Sequence, residues 1–192
     1  MRSSHYAAAW WPIRLLLFTV VAALAIESHS ATPYRNLRPH SGDGTFRDTS
    51  WRSGLLWISG YTITFPEFNL NTEYETTFAL ANLSNIRRDA GIYLCVDNAG
   101  RKWNDTTISQ LEANFQFQLA DSTGGIVAQL DVPLKSLVWS THSDTVDALY
   151  QLDKSFFRPD PQQRYTLHVH YTPDSKFGEA KGFIHMRCGG HH

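Results

Sequence analysis

Cysteine, methionine and excess charge are all scarce in this chain, and each scarcity narrows what it can be. Two cysteines and two methionines in 192 residues exclude a disulfide-dense miniature scaffold and a multi-cysteine metal cluster, since both need several thiols at short spacing. Net charge is -1, with 17 Lys and Arg against 18 Asp and Glu, so no basic excess points to nucleic acid or to an anionic membrane surface. Beyond residue 30 no apolar run reaches the roughly twenty residues that a bilayer span requires. Catalytic signatures are missing too: there is no Gly-rich phosphate loop, no H-E-x-x-H, no D-x-D-x-D-G calcium loop and no G-x-S-x-G turn. The serines, histidine and aspartates of "WSTHSDTVD" (139–147) stand side by side along the chain, which seldom gives the geometry of a catalytic triad. That segment reads as a polar loop, and no enzymatic activity is expected.

What is present begins with an amino-terminal leader. Arg2 and Arg14 precede about twelve apolar residues (15–26), and small polar residues follow. This is the three-part form of a secretory signal over residues 1–30, with Ser28 and Ser30 placed for cleavage before Ala31. The alternative is an uncleaved anchor, but Pro12 and Arg14 cut the apolar run short. Residues 31–50, rich in Pro, Gly, Ser and charge, read as a flexible leader. Residues 51–190 form one domain, expected in the periplasm or outside the cell, with the membrane met only through the signal segment.

Within that domain the period is two. "WISGYTITF" puts Trp57, Tyr61, Ile63 and Phe65 on one side, and "TEYETTFAL" sets Tyr74, Phe78 and Leu80 against Glu73, Glu75 and Thr77. "GIYLCV" is apolar throughout, as a central strand covered on both faces would be. "ANFQFQL" turns Phe115, Phe117 and Leu119 inward and Asn114, Gln116 and Gln118 outward, and "DSTGG" is the turn into "IVAQLDVPL". One short helix is predicted over 143–156, capped by Ser143 or Asp144, with apolar residues at Val146, Leu149, Tyr150 and Leu152. Strands at intervals of about ten residues make the fold all-β, an antiparallel sandwich of immunoglobulin-like or jelly-roll-like form, with a barrel as second choice.

The last segment, "YTLHVHYTPDSKFGEAKGFIHMRCGG" (165–190), carries the candidate chemistry. Read as a hairpin, it packs Leu167 against Met186 and Val169 against Ile184, and it brings His168, His170 and His185 together on the outward face. Three imidazoles can hold zinc or copper with a water in the fourth place. Against a metal stand the wetness of an outward face and the neighbouring charge of Arg187. Cys95 and Cys188 lie 93 positions apart; in an oxidising compartment a bridge between them would contribute about 4–5 kcal/mol. Two buried thiols are the alternative, because Cys95 points away from Ile92, Leu94 and Val96. Trp103, in "GRKWNDT", is a candidate ligand-stacking side chain, with a cap on the end of the core as the simpler reading.

The layout of leader, strands and a closing pair with "YTLHVHY" and "GFIHMRCGG" resembles small exported bacterial β-sandwich families of unknown function. The resemblance covers the chain from about residue 51 and implies a fold and an exported location, with no catalytic residue. The expected function is a non-catalytic binding protein whose partner is a protein or a glycan, without nucleic acid. The alternative is a metal-binding domain built on His168, His170 and His185.

Overall fold

The computed structural model describes residues 37, 39–53, 56–86, 89–97, 112–143, 146–151, 154–174 and 180–189. The expected signal segment (1–30) and Trp103 lie outside them. The strands, in chain order, are β1 (Ser41–Gly42), β2 (Thr45–Asp48), β3 (Trp51–Ser53), β4 (Leu56–Ile58), β5 (Gly60–Thr64), β6 (Phe68–Asn69), β7 (Tyr74–Ala81), β8 (Ala90–Asp97), β9 (Asn114–Asp121), β10 (Ile126–Pro133), β11 (Val138–Ser143), β12 (Val146–Tyr150), β13 (Phe156–Phe157), β14 (Arg164–Thr172) and β15 (Lys181–Gly189). Two antiparallel sheets pack together as a β-sandwich. The first has the order β1-β7-β14-β9-β10; the second runs β11-β12-β8-β15-β5-β2, with β13 added to β8 and β6 to β15. β3 and β4 pair as a separate ribbon.

Alternation decides which side chains meet. From the first sheet Tyr165, Leu167, Val169 and Tyr171 on β14 point inward with Phe78 and Leu80 on β7 and Phe115, Phe117 and Leu119 on β9. Ile92, Leu94 and Val96 on β8, Ile184, Met186 and Cys188 on β15, and Tyr61 and Ile63 on β5 face them from the second. Leu167, Val169, Ile184 and Met186 are all 0% exposed. Burying each such side chain contributes about 1.5–3 kcal/mol, so these rows supply the main drive to fold. β8 is central, between β15 and the pair β12 and β13, which is why its outward Cys95 is covered as fully as its inward Leu94.

Three expectations change. The segment 165–190 is not a hairpin. β14 pairs with β7 and β9 in the first sheet, and β15 with β8, β5 and β6 in the second. A face-to-face pair and a side-by-side pair bury the same alternate residues, so periodicity does not separate them. Within the predicted helix over 143–156, Ser143 ends β11, Val146–Tyr150 form β12, which pairs with β11 and β8, and Phe156 begins β13. No α-helix occurs among the described residues; Leu134–Ser136 forms a single 3-10 turn. The flexible leader ends earlier than expected, since residues 41–48 add β1 to one sheet and β2 to the other. "SGDG" explains this attachment. Asp43 exchanges both backbone and side-chain hydrogen bonds with Ala79, N to O at 2.8 Å and Ala79 N to Oδ2 at 2.7 Å. Gly42 has φ 120° and lies so close to the Ala79 carbonyl that a Cβ would sit 2.1 Å from its oxygen.

The β9–β10 turn is held by Asp121. Its Oδ1 accepts from the Thr123 hydroxyl at 2.6 Å and from the Thr123 and Gly125 amides at 2.8 and 2.9 Å. Those donors, the hydroxyl foremost, hold the carboxyl below the ordinary aspartate range.

Cys95 and Cys188 form no disulfide. Cys188 stands opposite Ala90 on the core face, while Cys95 stands opposite Phe183 on the outer face. Five residues along the ladder put their backbones roughly 16 Å apart, whereas a bridge needs Cα atoms about 5–6 Å apart. Burial pushes the Cys95 thiol up to about 12. Tyr61 and Tyr171 are raised for the same reason.

These raised groups keep their protons in the folded state and release them when unfolded. Their stabilisation is therefore complete below the unfolded value of Cys95, 9.0, and is lost as pH climbs toward 12. Chemical unfolding should show stability flat from pH 7 to 9 and then falling, with Cys95 accounting for at most about 4 kcal/mol. A Cys95→Ala variant should fall less steeply. Reductant should leave the wild-type melting temperature unchanged, and a rise or fall of several degrees would contradict the two-thiol arrangement.

Candidate functional site

The outer face of the first sheet is where hydrogen-bonding side chains gather. β7, β14, β9 and β10 lie side by side, so outward residues form rows across four strands. One row is Glu75–His170–Gln116–Asp131, and the next is Thr77–His168–Gln118–Gln129. On β9 and β14 each member sits between inward apolar neighbours, so the burial of Phe115, Phe117, Leu167 and Val169 fixes the outward direction of Gln116, Gln118, His168 and His170.

The first row is tied together by hydrogen bonds. Asp131 Oδ1 accepts from Gln116 Nε2 at 2.8 Å and from Asn114 Nδ2 at 2.9 Å. With its amide nitrogen so used, Gln116 turns Oε1 to His170 Nδ1, 3.1 Å away. His170 Nε2 reaches Glu73 Oε1 at 2.9 Å. In the second row His168 Nε2 meets Glu75 Oε1 at 3.1 Å. The His170 side chain is 25% exposed and that of His168 44%, against 69% and 64% for their glutamates. These are solvated contacts, each contributing a fraction of a kcal/mol to stability, and their main effect is orientation.

Beside these rows opens a cleft of about 460 Å³, lined by Gln116, Gln118, Gln129, Asp131, Lys154 and His168, with Phe117 and Leu130 beneath. Its polar groups are of both kinds: amides donate and accept, the carboxylate accepts, and the ammonium donates. Such a set suits a ligand whose own groups both donate and accept.

The histidine cluster expected from the sequence does not form. His168 and His170 project from the outer face of the first sheet and His185 from the outer face of the second. Sheets pack about 10 Å apart, and the core separates the two sets of rings. Among the described residues no group of three or more His, Cys, Asp or Glu is placed to hold a metal ion. Cys95 and Cys188 are buried thiols rather than a bridge, and Trp103 falls outside the described residues.

Sequence reasoning found Asn114, Gln116 and Gln118 as outward positions but did not join them to the histidines. It missed Gln129 and Asp131, although the alternation of "IVAQLDVPL" contains them. Strand order was the lacking information: β14 lies between β7 and β9, partners more than forty residues away in the chain.

No known family model matches the chain, nor does any curated protein or solved structure.

Because Gln116 is bonded on both sides, the row should behave as a unit. Gln116→Ala is expected to cost about 0.5–1.5 kcal/mol. In a double-mutant cycle with Asp131→Ala by urea unfolding, the pair should couple by at least about 0.5 kcal/mol. Strict additivity would show that the two side chains do not interact in solution.

Proposed function

We propose that this chain is a non-catalytic binding protein, and that the outer face of its first sheet takes a neutral, hydroxyl-rich ligand of the saccharide class. The observation that carries the reading is the ordered row Glu75–His170–Gln116–Asp131 beside a polar cleft of about 460 Å³. Small-ligand sites run to about 300–1,000 Å³ and are usually apolar. A cleft of that size bordered by amides, a carboxylate and an imidazole favours a ligand that is itself covered in hydrogen-bonding groups. Hydroxyls each donate and accept, which matches amide side chains better than a charged or greasy ligand would. The row is fixed before a ligand arrives, which lowers the ordering cost of binding.

Catalysis is not supported by the same residues. Asp131 Oδ1 is engaged by two amides, and both ring nitrogens of His170 are turned to oxygens. Each group is committed to holding its neighbour. The leader over residues 1–30 supports export, and with it a ligand met in the periplasm or outside the cell.

Calorimetric or NMR titration with a panel of neutral mono- and oligosaccharides tests the reading. At least one should saturate resonances of β9 and β14. A Gln118→Ala, Gln129→Ala variant, altered at two exposed positions, should keep its stability within about 0.5 kcal/mol and bind about tenfold or more weakly. A panel without a single saturating sugar, or unchanged affinity in the variant, would sink the assignment.

A further inference from the structure

The outer face of the second sheet holds a groove of opposite character. Outward residues on β2, β5 and β15 form a row Arg47–Thr62–Arg187, and beside it a row Thr45–Thr64–His185. Thr62 thus stands between two arginines whose backbones lie about 10 Å apart. The groove encloses about 490 Å³ and is lined by Arg47, Asp48, Thr49, Ser50, Thr62, Thr64, His185 and Arg187. Its charged groups are two guanidinium ions and one carboxylate.

The arginine at its inner wall is set in place. Arg187 is 9% exposed, its guanidinium lies 5.3 Å from the centre of the Tyr93 ring, and its Nη2 donates to His185 Nδ1 at 3.1 Å. The Tyr93 ring is braced in turn by edge-to-face contacts with Tyr150 and Phe156, and it lies so close over Gly91 that a Cβ there would come within 2.6 Å of it. Because His185 accepts at Nδ1, its Nε2 carries the proton and is a donor. The opposite rim, residues 47–50, is pinned to Gly60: Thr49 N donates to the Gly60 carbonyl at 2.8 Å and Gly60 N donates to Ser50 Oγ at 3.0 Å. Asp48 turns Oδ1 to the Ser50 amide at 2.8 Å. The Thr49 hydroxyl is buried with no protein partner.

We propose that this groove binds a tetrahedral oxoanion, the phosphate or sulfate group of a small molecule. Two guanidinium groups provide planar forks of donors suited to such an anion, and threonine hydroxyls and an imidazole N–H complete a lining dominated by donors. The volume leaves room beyond the anion itself for the ring or chain that carries it. This site lies on the face opposite the saccharide cleft and does not depend on it.

The test is NMR titration of the full-length protein with sodium phosphate, sodium sulfate and sodium acetate at constant ionic strength. Phosphate or sulfate should saturate shifts at Thr62, Thr64 and His185, and whichever binds tighter names the ester carried by the natural ligand. Arg47→Gln, at an exposed position, should leave the melting temperature unchanged and weaken binding about tenfold or more. Thr64→Val, which keeps the side-chain shape, should weaken it by a smaller factor. Failure of both tetrahedral anions to saturate, equal binding by acetate, or wild-type affinity in Arg47→Gln would each overturn the proposal.

Discussion

The structure depends on the packing of the two inner faces into one core, to which β14 gives Leu167 and Val169 and β15 gives Ile184 and Met186 as fully buried side chains. On a strand, fixing one residue inward fixes both of its neighbours outward. Burial of this apolar set therefore aims His168 and His170 away from the core on one side and His185 and Arg187 away from it on the other. The two outer faces owe their chemistry to the polar residues interleaved with the core, and their orientation to the core itself.

Those faces differ in charge. Glu73, Glu75 and Asp131 dominate the first, with Lys154 beside the cleft. Arg47 and Arg187 dominate the groove of the second, with Asp48 at its rim. The net charge of -1 describes neither site. The summed charge predicts nothing about either, because a ligand at a cleft responds to the local field and hardly at all to charge beyond a Debye length of about 8–10 Å.

Much of the fold was legible in the sequence because alternation is a local property. The inward set on β7, β9, β14 and β15 and the doubly covered β8 all follow from period two. What alternation does not carry is the pairing partner. β14 and β15 satisfy the same pattern as hairpin neighbours or as strands of two facing sheets, and period two alone does not choose between them. That one ambiguity moved His185 from beside His168 to the far side of the molecule. The predicted helix failed for a similar reason: Val146, Leu149, Tyr150 and Leu152 fit a helical stripe, but over so few residues they fit a strand pair as well, and pairing with β8 decided the outcome. Arg47 was hidden by composition. Its Gly- and Ser-rich surroundings read as a leader, although Gly42 and Asp43 are the residues that fasten this segment to β7.

The hydrogen-bond partners of the three histidines give the rings different tasks on the two faces. His170 faces Gln116 Oε1 with one nitrogen and Glu73 with the other; His168 faces Glu75 through Nε2; and His185 gives its Nδ1 lone pair to Arg187. Each partner also pulls its ring toward a different task. The glutamates and Gln116 draw His168 and His170 into a hydrogen-bonding surface, while Arg187 makes His185 a donor within a cationic groove. Imidazole is thus used in two ways on one scaffold, and the groups placed opposite each ring select the use.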